Sequence, residues 1–579
     1  MRNLIALLLA LFTLNCFAQQ KHITFFEQTN GTGSPIYPDI IKWWKSLAAS
    51  TPMIQLKEMG TTDAGFPLHL IIVSTDKDFS IPSIKAKKKT IIFINNGIHP
   101  GEPDGIDASM LLARDIVQNK YKLPSNVVLV IIPVYNIGGA LNRSKDYRID
   151  QNGPTEKGFR GNSENYDLNR DFIKMDSKDA FAFAKIFHYL EPDVFVDNHV
   201  SDGADYQHVM TLIASQHNRI GGTMGEYMNK VFEPALYSIM KSKGFDLVPY
   251  VNHEGDTPDK GWAEFWDSPR YSSGYATLWN TFSFIPETHM LKPYKQRVQS
   301  TRALMESFIE FTSVHSQEIL TQRSKAKQQQ LNKKSFPIAW KWNSTQHTDI
   351  DFKGYESTYK PSEVSGLQRL YYDRSKPYTK KIPFYNTYND TLSVTAPSAY
   401  IIPQGWWKVI DRLQGNNVQM KRLQRDTVIE VEAYRIAKYQ STSRPYEGHH
   451  PNSKVEVSAS KQEVQFRKGD YLILLNQPAN RFLIETLEPQ AEDSYFTWNF
   501  FDPILGQKEG FSDYVFEETA TEYLKDHPEL RAQLEQKKAT DSAFAKNGYA
   551  QLDFVYRASP YFEKAFMNYP VYRLMPGKK

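Results

Sequence analysis

Between residue 89 and about residue 290, short dense apolar runs alternate with amphipathic stretches, and no other feature of the chain narrows its fold as far. The runs are "TIIFINN", "NVVLVIIPVYN", "DVFVDNH", "FDLVPYVN" and "TFSFIPETH". Between several of them lie stretches of helical period, such as "DGIDASMLLARDIVQNK" and "SKDAFAFAKIFHYLEP". A strand that is apolar on both sides has to be covered on both sides. The alternation therefore predicts an α/β domain with a mostly parallel, doubly covered sheet. In such sheets ligands bind in the loops outside the carboxyl ends of the strands. Ligand-type side chains fall at those ends in "NNGIHPGE", "DNHV" and "PETH".

At 579 residues the chain is long enough for two or more domains. Residues 1–18 read as a secretory signal: Arg2, an apolar segment from Leu4 to Leu14, then Cys16-Phe17-Ala18 before Gln19. This predicts cleavage after Ala18 and an exported product, periplasmic or secreted. Lipid anchoring through Cys16 is the weaker reading, because Thr13, Leu14 and Asn15 fit poorly the Leu-small-small pattern before a lipidated cysteine. Cys16 is the only cysteine, so the mature chain has no thiol, and any metal must be held by His and carboxylates. No other segment offers the run of about 18 apolar residues that a membrane span requires. A net charge of +4 gives no whole-molecule argument for a nucleic-acid partner.

The α/β domain is expected over residues 19–320. After Pro293 the sequence reads as one long helix whose polar end, residues 321–335, would be a helical linker. Downstream, runs such as "DTVIEVEAYRIAKYQ" and "EVQFRKGDYLILL" are aromatic and β-branched and broken by turn residues. Residues 336–579 are thus expected to form a β-rich, sandwich-like accessory region with a helical C-terminal end.

Four pieces carry chemistry. His99 and Glu102 follow a buried strand closely enough to point at a common centre, although alone they fit a polar turn around Pro100 and Gly101 better. His199 ends another apolar run and reaches the same sheet edge, or simply caps its strand. Three such ligands with an open fourth position are what catalytic zinc requires. Glu287 ends a third run, where a carboxylate can serve as general base and then general acid; its neighbour His289 is the weaker ligand candidate. The loop "GFRGNSENYDLNRDF" crowds Arg160, Asp167, Asn169 and Arg170 together. Two arginines there suit an anionic substrate group and a developing oxyanion, unless they merely pair with Glu164 and Asp171.

Taken in order, His99-Pro-Gly-Glu102, Asp167-Leu-Asn169-Arg170, His199 and Glu287 resemble the motif set of the zinc carboxypeptidases of the carboxypeptidase A and B type, over roughly residues 40 to 315. The resemblance implies one Zn2+ per chain held by His99, Glu102 and His199, with Glu287 activating water and Arg160 stabilising the oxyanion. It further implies that Asn169 and Arg170 bind a terminal carboxylate and that Asp167 orients His99. A substrate-contacting tyrosine is expected from "RYSSGYATLWN", either Tyr271 or Tyr275, with Tyr275 the assignment carried forward. Trp262 and Trp266 are candidates for the pocket wall. The implied substrates are peptide or protein C-termini, cell-wall peptides among them. The digestive members lack the large C-terminal β region. Two rivals stand beside this reading: an N-acyl amino acid deacylase of the aspartoacylase or succinylglutamate desuccinylase type, which shares His-x-x-Glu and "DLNR", and a non-catalytic exported binding protein.

Overall fold

The structure is a computed structural model that describes residues 22–252 and 257–576. The expected signal segment, with Cys16, lies outside the described residues. The central sheet has nine strands: β1 (Ile54–Thr61), β2 (Pro67–Val73), β3 (Thr90–Asn95), β4 (Val127–Ile132), β5 (Val194–Asp197), β6 (His199–Ser201), β7 (Met210–Ala214), β8 (Val248–Pro249) and β9 (Phe282–His289). Their order is β1-β2-β4-β3-β5-β9-β7-β8, and β6 prolongs the line of β5 alongside β9. The middle, from β4 to β9, is parallel. The β1–β2, β2–β4 and β7–β9 pairings are antiparallel, and β8 runs parallel to β7.

Successive side chains of a strand face opposite ways, and here both faces are apolar. Ile91 and Phe93, with Val128, Val130 and Phe195, build one core. Ile92 and Ile94, with Val127, Leu129 and Val196, build the other. Helices Tyr37–Ala49, Asp104–Val117 and Tyr294–Val314 cover the second face. On the first lie the helices Lys178–Leu190 and Ser272–Leu278.

Three expectations change. The single helix after Pro293 breaks at His315 into Tyr294–Val314 and Ser316–Asn332. Its polar end is no free spacer: Arg323 is buried, donating to the Asn280 carbonyl at 2.7 Å and pairing with Asp193. Nor does the C-terminal region form a two-sheet sandwich. Its strands divide among a hairpin (Thr348–Pro361 with Gln368–Tyr385), a pair (Ser335–Trp342 with Tyr388–Thr395) and a six-stranded sheet. The six-stranded sheet buries Tyr400, Ile402 and Ile473 in the same core as Phe93, Phe183 and Phe195 of the first domain, together with Val409 and Phe482 from helices. The first of the two cores therefore runs through both halves. A short strand of the first domain, Trp262–Ala263, also pairs in parallel with Phe384 and Tyr385 of the hairpin. Helices Asp513–Asp526, Pro528–Thr540 and Gly548–Ala558 supply the expected helical end, after which Tyr572–Leu574 returns to the six-stranded sheet.

Candidate metal centre and its cavity

Beyond Asn95 the chain leaves β3 and turns sharply, with the Glu102 N–H donating to the His99 carbonyl at 2.9 Å. Gly101 is required here, since a Cβ would lie 2.6 Å from the Arg148 side chain and 2.8 Å from the Gly158 carbonyl. His199 arrives on β6, whose parallel register places it beside Glu287 of β9. Sheet register alone thus brings the second imidazole and the late carboxylate to one edge.

One nitrogen of each imidazole lies against the Glu102 carboxylate. The available ligand atoms of His99, Glu102 and His199 fall within 4.8 Å of one another, and all three residues are buried. The Nδ1 atoms of His99 and His199 each sit 3.1 Å from a different Glu102 oxygen. Their Nε2 atoms turn outward, to Asp167 Oδ1 at 2.9 Å and Asp197 Oδ2 at 3.1 Å. An outward carboxylate on each ring fixes its tautomer and orientation, which is how metal-binding histidines are usually held. The donor set, two neutral-capable imidazoles and a carboxylate converging from the turn after β3 and from β6, fits a zinc ion.

Charge is arranged around this centre. Burial would raise Glu102, but Arg148, 2.8 Å away, and the two histidines hold its carboxyl well below the usual range. Burial alone would lower His199, yet Asp197 and Glu102 outweigh it and keep the imidazole well above its ordinary value. Glu287 moves the other way. Desolvation pushes it up to about 8, with His199 opposing and Glu102 and Asp202 adding to the rise.

The second polar loop closes the far side. Asp167 caps the short turn Leu168–Arg170, accepting from the Asn169 N–H at 2.9 Å. Its other oxygen takes Arg160 at 2.8 Å. Arg170 does not pair with Asp171; it lies over the Tyr271 ring, 4.5 Å from the centroid. Asn169, Arg160 and Arg170 line, with His99, Glu102, His199 and Glu287, a cavity of about 220 Å³ whose apolar wall is Ile213, Tyr250, Phe265, Tyr271 and Ile285.

Tyr275 is elsewhere, a correction to the sequence reading. It is fully buried in the helix Ser272–Leu278, and its hydroxyl donates to Asn416 Oδ1 at 2.6 Å. Tyr271 lines the cavity instead, because as the residue before the helix it keeps extended backbone angles and its side chain diverges from the helix's buried face. Trp262 packs against Phe352 and Phe384, and Trp266 stacks on Tyr388; neither lines the cavity. His289 stacks on Tyr206, outside the ligand cluster.

Sequence reasoning passed over Asp197 and Arg148. For Asp197 a cue existed: it stands two residues before His199, the spacing that puts strand side chains on one face. Arg148 carried none, lying in an irregular stretch of 12 residues between two short strands.

Residues 40–210 match the family model described as zinc carboxypeptidase. The Carboxypeptidase 2 of Trichophyton tonsurans is 20% identical over 456 residues, covering 72% of this chain and 76% of that protein. The Carboxypeptidase 2 of Trichophyton rubrum is 19% identical over 520 residues, covering 83% and 87%. Among solved structures, a metallo-carboxypeptidase from Burkholderia cenocepacia aligns with a TM-score of 0.35 at 16% identity, over 48% of this chain and 68% of that one.

Proposed function

With a zinc carboxypeptidase domain over residues 40–210 as the premise, we propose that this chain hydrolyses the C-terminal peptide bond of peptides or proteins. The observation that carries the reading is the convergence of His99, Glu102 and His199 in one cavity with Glu287, Arg160, Asn169 and Arg170. His99 Nδ1, His199 Nδ1 and the Glu102 carboxylate are the atoms that would hold the zinc. Bound there, zinc supplies a Lewis acid that polarises the scissile carbonyl and makes water acidic enough to attack near neutral pH.

The remaining steps belong to the chain's own side chains. Glu287 accepts the proton of the attacking water and passes it to the leaving amine as the C–N bond breaks. Arg160, nearly half exposed and lining the same cavity, donates to the oxygen on which negative charge develops. Asn169 and Arg170 bind the free carboxylate of the last residue, placing the final peptide bond, and no other, beside Glu287. The apolar wall from Ile213 to Ile285 would receive that residue's side chain.

Peptides with a free C-terminus test this directly. Ionic hydrogen bonds to a carboxylate contribute about 1.5–3 kcal/mol each, so kcat/KM should exceed that for the matched C-terminal amides by roughly 10- to 100-fold. Mass spectrometry should show loss of one residue at a time. Equal cleavage of acid and amide, or activity confined to N-acyl amino acids, would overturn the reading.

Residues 1–18 support export of the mature chain, and among the described residues no helix is long and apolar enough to cross a membrane. N-terminal sequencing of the protein recovered outside the cytoplasm should begin at Gln19. A lipid-bearing Cys16 at the mature N-terminus, or an uncleaved Met1, would count against it.

A further inference from the structure

The loop that carries Asp167 and Arg170 is held from behind by the C-terminal region. Strands Thr427–Ser441 and Asn452–Phe466 form a long antiparallel hairpin. Within its tip, Tyr446 and His449 exchange backbone hydrogen bonds of 2.7 and 3.1 Å, leaving Glu447 and Gly448 as a two-residue turn. Both turn residues have positive φ, 49° and 78°, the mirror-image form that suits a hairpin. Glycine adopts it freely, and a Cβ at Gly448 would lie only 3.1 Å from Tyr166. A glutamate does not, and one kept there against its backbone preference points to a compensating contact.

That contact is at the candidate active site. The Glu447 carboxylate accepts the backbone N–H of Asp167 at 2.8 Å. The neighbouring Tyr446 hydroxyl accepts from Arg170 Nε at 2.9 Å. The tip is itself anchored: His449 Nε2 meets Asp176 at 2.7 Å, and the Tyr446 ring lies nearly parallel to Trp498, 6.2 Å away. Arg170 is thereby fixed on three sides, by Tyr446 at Nε, by the Asn169 carbonyl at one terminal nitrogen (2.9 Å) and by the Tyr271 face. It still lines the cavity.

We propose that Tyr446 and Glu447 are positioning residues of the carboxylate subsite, so that the region beyond residue 336 takes part in selecting free C-termini. The proposal rests on the reading of Arg170 as the carboxylate clamp. A long arginine side chain loses rotamer freedom when it grips a ligand. A site that has already ordered it binds more tightly for the same contacts. The hairpin does this ordering without touching substrate.

Tyr446→Phe removes the phenolic oxygen and keeps the ring on Trp498. KM for a free-acid peptide should rise about five- to tenfold, less than the full worth of one hydrogen bond to a charged group because the Asn169 carbonyl and the Tyr271 ring still hold Arg170, with kcat nearly unchanged. Calorimetry in the Glu287→Gln background should show the same factor in Kd for the free acid and none for its amide. Glu447→Gln, which retains an acceptor oxygen, should bind like the parent, whereas Glu447→Ala should bind the acid more weakly. Unchanged acid binding in both Tyr446→Phe and Glu447→Ala overturns the proposal. Equal weakening of acid and amide does so too, since that marks mere support of the fold. A wild-type protein that cleaves no peptide defeats the functional reading instead, and the calorimetric comparison still reports on the hairpin.

Discussion

Replacing Glu287 with glutamine is expected to lower kcat by about 10³-fold, within the range of a lost general base, while zinc stays bound at one per chain. The substitution keeps the shape of a side chain set beside His199 by strand register, and removes only its capacity to take a proton. Glu102 and the two imidazoles are left in place, so metal analysis and activity should part company. Retention of more than about a tenth of wild-type kcat would exclude Glu287 from proton transfer on that scale. The pH profile gives a second reading. Glu287 acts as base when ionised, so kcat/KM rises with pH through its pKa. Burial places that value at about 8 in the metal-free protein, and a bound dication must lower it. The acidic limb should therefore lie below 8 in the zinc enzyme and vanish in the glutamine variant.

Removing the zinc should abolish measurable turnover and lower the melting temperature, with both restored by one equivalent of metal. Ligand that binds only the folded state stabilises it by about 2.7 kcal/mol at a hundred times its Kd. The pH dependence has a definite sign. In the metal-free protein His199 is held above its ordinary pKa by Asp197 and Glu102 despite burial. That stabilisation is fully present below the unfolded value, about 6.5, and fades as pH rises through the folded one. Zinc needs the neutral ring and releases its proton on binding, so zinc affinity should fall as pH drops. The difference in melting temperature between loaded and chelated protein should be small near pH 5.5 and large near pH 8.5. A chelator that moves neither activity nor melting at either pH would remove zinc from the account.

The parallel centre of the sheet and the places of His99, Glu102, His199 and Glu287 could be read from sequence for one physical reason. Buried strands leave continuous apolar runs, and ligand-type residues stand out where such a run stops. Asp167, Asn169 and Arg170 share a single turn, so proximity in the chain and in space coincide. Tyr271 and Tyr275 could not be separated that way. Choosing between them required knowing which one precedes the first helical turn and which faces the core, and that depends on packing against Phe172 and Phe187. Tyr446 and Glu447 were out of reach altogether, because nothing in a linear pattern joins residues 276 and 280 positions apart. The sandwich expectation failed on similar ground: alternating runs show that a face is buried, but not that another domain's sheet and helices bury it.

The core shared between the halves also governs how the protein can be made. Trp279, which follows one of the helices covering the first sheet face, packs against Phe482 in a core completed only by Tyr569 and Val571, and these partners are synthesised only after the first domain is complete. At about 5–20 residues per second, the first domain waits for its cover for roughly 10 to 50 seconds after its own last residue is added. During that interval the apolar side chains behind those helices, Trp279 among them, are open to water and to other nascent chains. Holding factors that bind aromatic segments should therefore act on the first 330 residues, and a gene cut at that boundary should yield aggregate where the whole chain yields soluble protein.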